Sequence, residues 1–302
     1  MAHHSNLPQI LWKKVSHKLR WGRLNPAYYR ARSLLHRGKK PPLGMADIAI
    51  AQKLKRDAIY VTSLAELDLP ITSEFLGAVS ALLPTLPASN SHQADGDPTS
   101  ARNTKLHCFS VDPPELMVRH PEILLWGLEQ RLLDIIEHYL GLPPAFTNMH
   151  LRKDVGNGQQ VGTRIWHVDI EDHRVIRVII YLNDVTVDDG PFEYIPKRFN
   201  WTCAPLLKRA LRASGDPILD EEMRSYVPES SWVQCTGPAG TVVLADNAAL
   251  YHHGKPHNSE RIALIYTYTS RHPRFPELKR NNAFNDRLSP RQQACFFVRT
   301  NG

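Results

Sequence analysis

No stretch of the sequence stays apolar over the roughly 18–20 residues that a membrane-spanning helix needs. The N-terminus also lacks the unbroken apolar segment of a secretory signal. Cysteine is scarce. Cys108, Cys203, Cys235 and Cys295 stand far apart, with no Cys-x-x-Cys spacing. That argues against a zinc knuckle and against a disulfide framework, so a reducing cytoplasm is the expected compartment. No internal repeat is visible. Acid is missing from the first 46 residues, which carry ten lysines and arginines (Lys13, Lys14, Lys18, Arg20, Arg23, Arg30, Arg32, Arg37, Lys39 and Lys40). The chain's net charge is +7, so with +10 in this stretch the remainder sums to −3. The basicity belongs to an arm and not to the body.

Within the arm, residues 10–21 read as an amphipathic helix. At about 100° per residue Leu11, Trp12, Val15 and Leu19 fall on one side, with Lys13, Lys14, His17, Lys18 and Arg20 outside it. Such a helix could pack on the body, or lie on an anionic membrane as a peripheral contact through residues 10–40. A nucleic-acid partner is disfavoured because the body is slightly acidic. "KKPPLG" at 39–44 reads as a linker, which divides the chain into an arm, 1–44, and a body, 45–302.

The whole chain is 42% hydrophobic and 22% charged, an ordinary globular composition, and the body is long enough for one large domain. Its first part, 45–141, reads as helical support. Helices are expected over 46–56, 72–83 and 121–140, with a short strand at "AIYVTSL" and a loop over the turn-rich 84–103. In the helix over 121–140, Leu125, Leu128, Leu132, Ile136 and Tyr139 form the stripe. Beyond Leu142 short strands follow at 145–151, 163–170, 174–183, 191–196, 240–246 and 261–269, interrupted by a helical insertion over 204–230. The expected fold is mainly β with flanking helices, a jelly-roll core over 142–271.

In "RIWHVDIEDHRVIRVIIYLND", 164–184, strand alternation puts His167 and Asp169 on one face and Trp166 and Val168 on the other. An imidazole and a carboxylate so placed are either a hydrogen-bonded pair or two ligands of one metal. "GTVVLADNAALYHHGKPHNSERIALIYTYTS", 240–270, adds His252 and His253 in a loop and Arg261 at the start of a strand. Two histidines and a carboxylate make the facial triad of mononuclear iron oxygenases, a donor set that zinc accepts as well. Arg261 shares a face with Ala263, Ile265 and Thr267, and a buried guanidinium there needs an anion. A structural carboxylate or a bound dicarboxylate would serve. His150, Glu171, Asp172 and His173 are candidate substrate contacts, against the plainer readings of a core histidine and a solvated strand end. Lys208, Arg209 and Arg212 in the insertion could meet an anionic substrate or simply face solvent.

"WHVD", "IIYLNDV…DDGPFEYIP" and "HHGKPHNSER", in this order, resemble the phytanoyl-CoA dioxygenase-like branch of the iron(II)/2-oxoglutarate oxygenases over residues 145–270. The resemblance implies a double-stranded β-helix, iron(II) held by His167, Asp169 and a distal histidine, and 2-oxoglutarate anchored by Arg261. "LYHHGKP" matches the form that puts His252 in the ligand position. A form with Asn five positions after the histidine would choose His253, with Asn258 matching. His252 is the expected ligand and His253 the alternative. Asp169 stands where related halogenases have Gly or Ala, which favours hydroxylation over halogenation. The implied enzyme consumes molecular oxygen and hydroxylates an unactivated carbon of a small or lipid-like substrate, releasing succinate and CO2. The competing reading is a non-catalytic jelly-roll whose basic arm contacts a membrane or a polyanion.

Overall fold

The computed structural model describes residues 25–86, 108–111, 113–210, 217–273, 278–281 and 284–299. The expected helix over 10–21, most of the turn-rich stretch 84–103, Arg212, and the side chains of Lys208 and Arg209 lie outside the described residues.

Six strands form the main antiparallel sheet: β1 (Ile59–Ser63), β2 (Cys108–Val111), β3 (Pro144–Asp154), β4 (Ile176–Tyr181), and, after the short β5 (Phe192–Tyr194) and β6 (Val233–Cys235), β7 (Thr241–Asp246) and, after β8 (His252–Gly254), β9 (Arg261–Ser270). Their spatial order is β1-β7-β4-β9-β3-β2, while β6-β5-β8 make a second, three-stranded sheet. This is the double-sheet jelly-roll expected from the spacing of the strands.

Alternation explains how one sheet serves two layers. Ile176, Val178 and Ile180 of β4, with Leu264, Tyr266 and Tyr268 of β9, face the helices and join a core that includes Leu54, Phe75, Trp126, Leu132 and Ile136. Ile179 and Tyr181 point the other way, packing with Phe192 of the second sheet and with Ala245 and Ala263. β-branched residues dominate β4 and β7 because they suit a pleated surface buried on both sides.

The helix expected over 121–140 is two helices, Pro121–Gly127 and Gln130–Leu140. Tyr266 and Phe146 press so closely on Gly127 that a Cβ there would stand 2.7 Å from the Tyr266 ring and 2.9 Å from Phe146. The second helix starts afresh because the Glu129 carboxylate accepts hydrogen bonds from the backbone N–H of Arg131 and Leu132. A second correction concerns 163–170, which is not a regular strand. Gly162–Arg164 is a 3₁₀ turn, followed by isolated bridges from Trp166 to Ile218 and from His167 to His252. The chain here is held from two sides, by the insertion and by β8, so neither side forms a ladder. The alternation nevertheless holds. Trp166 and Val168 bury under the insertion helices Ala204–Ala210 and Asp220–Tyr226, against Leu206, Met223 and Trp232.

Part of the arm belongs to the body. Helix Asn25–His36 docks on Gln130–Leu140, where Tyr29 donates through its hydroxyl to the Leu140 carbonyl at 2.7 Å. His36 meets Glu137 at 2.6 Å, and His138 binds the Pro41 carbonyl at 2.6 Å. Among the described residues no helix is long and apolar enough to cross a membrane.

Candidate metal centre

Register brings the ligand candidates together. His167 and His252 are bridge partners, each backbone N–H bonding the other's carbonyl at 3.1 and 3.0 Å, and their rings lie 4.3 Å apart. The Asp169 N–H binds the Asn247 carbonyl at 2.8 Å, which fixes the carboxylate beside them. One ligand atom from each of His167, Asp169 and His252 lies within 4.8 Å of the others.

The protonation pattern suits a metal. His167 Nδ1 faces the Ile165 carbonyl at 2.7 Å and His252 Nδ1 the Leu250 carbonyl at 3.0 Å. A carbonyl only accepts, so each Nδ1 carries the proton and each Nε2 keeps its lone pair. Burial lowers the pKa of both imidazoles, that of His252 to about 3, and so keeps them neutral. Burial alone would raise the Asp169 carboxyl. The charge of Arg177, which also hydrogen-bonds the carboxylate, outweighs it and holds the group ionised well below the usual range. Two neutral nitrogens and one anionic oxygen fit a divalent ion with open positions. Asn247, 5% exposed, donates from Nδ2 to His252 Nε2 at 2.8 Å while its Oδ1 is buried without a partner. The Nε2 lone pair of His252 is thus held by the Asn247 amide, a contact that a metal ion on Nε2 would replace.

The triad opens on a cavity of about 400 Å³, with Arg152, Arg177, Arg261 and His150 in its wall beside the apolar Ile179, Phe192 and Ile265. Arg261 is directly opposite Asp154 in the β9–β3 ladder and binds it through Nε at 3.1 Å and Nη2 at 2.5 Å, while Nη1 donates to the Gly190 carbonyl. Gly254 leaves room for this guanidinium, since a Cβ there would stand 3.2 Å from Nη2. Arg152 reaches the same carboxylate from Nε at 2.8 Å. The Asp154 carboxyl, which burial would raise, is held low by Arg152 and Arg261. Burial also brings the neighbouring Arg164 down to about 10, with Arg261 and Arg152 adding to it against Asp154. Arg152 and Arg261 thus share one buried carboxylate.

The remaining candidates divide. His150 lines the cavity. His253 also borders it, but its nitrogens are turned away from the triad. Nδ1 faces the Arg164 carbonyl at 2.9 Å, Nε2 faces Glu193 at 2.7 Å, and the ring stacks on Trp166 at 3.8 Å. Glu193 is its direct partner in the β5–β8 ladder. Glu171, Asp172 and His173 are absent from the cavity wall, because each is engaged in the fold. Glu171 binds Arg177 at 3.0 Å, Asp172 accepts the Ser270 and His173 N–H groups at 2.7 Å each, and His173 packs on Tyr29. The sequence reading missed Asn247, Arg152, Asp154 and Arg177. Only Arg177 carried a signal, as a lone charge inside "IRVIIY".

The phytanoyl-CoA dioxygenase (PhyH) family profile matches residues 72–264, more than half of the chain. No curated protein matches the chain by sequence. Among solved structures, EctD from S. alaskensis with 2-oxoglutarate and 5-hydroxyectoine superposes with a TM-score of 0.50 and 19% identity, over 77% of this chain and 79% of that one. Its apo form gives 0.50 and 21%, over 76% and 80%. The α-ketoglutarate-dependent carbocyclase SnoK from nogalamycin biosynthesis gives 0.46 and 15%, over 84% and 93%. The EctD likeness supports the jelly-roll fold. With a matching family profile, a two-histidine, one-carboxylate cluster and an arginine-lined cavity beside it, the chain belongs to the phytanoyl-CoA dioxygenase family of oxygenases, whose iron(II) and 2-oxoglutarate are its cofactors.

Proposed function

We propose that the protein is a hydroxylase of a small molecule, with iron(II) held by His167, Asp169 and His252 and the far carboxylate of 2-oxoglutarate paired with Arg261. The observation that carries this reading is the meeting of the triad and Arg261 in one cavity. When bound, the two cofactors supply the oxidation. Dioxygen gives one oxygen atom to succinate, formed with CO2 from 2-oxoglutarate, and the other to a substrate carbon.

The chain's own residues do the rest. The Ile165 and Leu250 carbonyls aim the two Nε2 lone pairs, and burial keeps them unprotonated. Arg261, anchored on Asp154, offers its remaining N–H groups to a carboxylate. Ile179, Phe192 and Ile265 keep water from the apolar side of the cavity. Asp169 fills the position that a halide would need, which favours oxygen transfer. A space of about 400 Å³ must hold cosubstrate and substrate together, which favours a small molecule over a long-chain lipid.

Anaerobic titration of the apo-protein with iron(II) and 2-oxoglutarate tests this through the visible charge-transfer band of the chelated cosubstrate. The expected result is a band in the wild type that His252→Ala abolishes. His253→Ala should keep it, and Arg261→Ala should move it to about tenfold or more higher 2-oxoglutarate, the loss of a charge-assisted pair. A folded, iron-loaded wild type without a band overturns the reading. Loss of the band in His253→Ala with retention in His252→Ala would move the distal ligand to His253.

A further inference from the structure

Arg177 is a cation inside an otherwise apolar strand, with a side chain 16% exposed. Each of its nitrogens has a partner. Nε donates to Asp169 Oδ2 at 2.8 Å, Nη2 to Glu171 Oε1 at 3.0 Å, and Nη1 to Thr267 Oγ1 at 2.7 Å. Thr267 is directly opposite Arg177 in the β4–β9 ladder, so the register of the main sheet sets the position of the guanidinium. The other oxygen of Asp169, Oδ1, lies 4.0 Å from His167 Nε2. The two carboxylate oxygens thus look to different partners, one to the histidine side and one to Arg177.

We propose that Arg177 is a positioning residue that confines Asp169 to a single metal bond and thereby keeps one coordination position open for dioxygen. The proposal rests on the metal site proposed above. A carboxylate beside a divalent ion binds through one oxygen or through both. Two imidazoles and one oxygen leave three corners of an octahedron. A cosubstrate chelating through two oxygens takes two of them. If both Asp169 oxygens bound the metal, the last corner would be closed. The Nε–H of the guanidinium takes one lone pair of Oδ2 and draws that oxygen's charge toward Arg177, in competition with a second metal bond. Thr267 and Glu171 hold the guanidinium itself, so Asp169 cannot swing Oδ2 inward without breaking a buried charge pair.

A purely structural salt bridge would also fix Asp169, and the experiment separates the two roles. The iron(II)·2-oxoglutarate complex is prepared without oxygen in the wild type and in Arg177→Gln, Arg177→Lys and Thr267→Val. Two signals are then read, the charge-transfer band and the binding of nitric oxide as a stand-in for dioxygen, by electron paramagnetic resonance. In Arg177→Gln the band should persist while nitric oxide binds about 10–100-fold more weakly, the usual scale for losing a partner of a metal ligand. Arg177→Lys keeps the charge without the fork and should fall between. Thr267→Val should weaken nitric oxide binding less, in the same direction. Wild-type nitric oxide affinity in Arg177→Gln overturns the proposal. So does loss of iron and band together, which would mean that Arg177 only supports the carboxylate. If circular dichroism shows both Arg177 variants unfolded, unchanged nitric oxide binding in Thr267→Val overturns it. A wild type with no band at all instead refutes the metal site itself.

Discussion

At the scale of single residues, the charged side chains around the triad are tied to one another before any ligand arrives, and Asp172 shows what this does to stability. Its carboxylate is 8% exposed and accepts two backbone N–H bonds, yet burial dominates and lifts its pKa from 3.8 to about 6. Between those values the native protein holds a proton that the unfolded chain has released. The contribution is therefore fully present below about pH 4 and is lost as pH rises through about 6. The difference corresponds to about 3 kcal/mol. Asp172→Asn, which cannot ionise, should flatten the fall in stability between pH 4 and 7. Denaturant melts across that range check it, and an unchanged slope would show that Asp172 titrates normally. Asp246, likewise pushed up by burial but anchored by Tyr139 at 2.5 Å, remains in the variant as an internal comparison.

At the scale of elements, what could be read from the sequence was whatever depends on period. The strands at Thr241–Asp246 and Arg261–Ser270, and the inward face of Arg261, follow from alternation within one segment. The pairing of Arg261 with Asp154 does not, because the two residues are 107 positions apart and meet only when β3 and β9 pair. The His-x-Asp segment was misread as a strand for a related reason. Its apolar residues alternate as a strand's would, but its partners, Ile218 and His252, come from two different parts of the chain. The break at Gly127 was hidden too, since the stripe of leucines continues through it and the cause lies in β3 and β9. Gly127→Ala tests that cause. The Tyr266 ring cannot retreat, being stacked on Trp126 and anchored through its hydroxyl to the Ile123 carbonyl at 2.7 Å. Alanine favours helix over glycine, yet here overpacking should win and destabilise the protein by about 1–3 kcal/mol in equilibrium unfolding. A stabilised variant would mean that the two helices are free to fuse.

At the scale of the whole molecule, the charge asymmetry does not coincide with a physical boundary. Composition places the break near residue 44, where the basic stretch ends, but helix Asn25–His36 and the segment to Pro41 are pinned to Gln130–Leu140. That helix supports the catalytic half from behind. Tyr139 bonds Asp246, Asp246 accepts the Val175 N–H, and Arg174 donates to the Tyr139 carbonyl and lies over the rings of Tyr29 and Tyr139. Tyr29, 6% exposed, is therefore a wedge between the basic segment and the layer that carries β4 and β7. If residues 25–44 were a detachable tether, changing Tyr29 would leave the stability of the body untouched. Docked as it is, Tyr29→Phe should cost about 1 kcal/mol for the lost hydroxyl bond, and Tyr29→Ala about 3–5 kcal/mol for the vacated ring. Urea melts of the full chain measure both. Losses of this size in a single cooperative transition place residues 25–36 inside the folding unit, whereas a wild-type midpoint in Tyr29→Ala would return them to the arm.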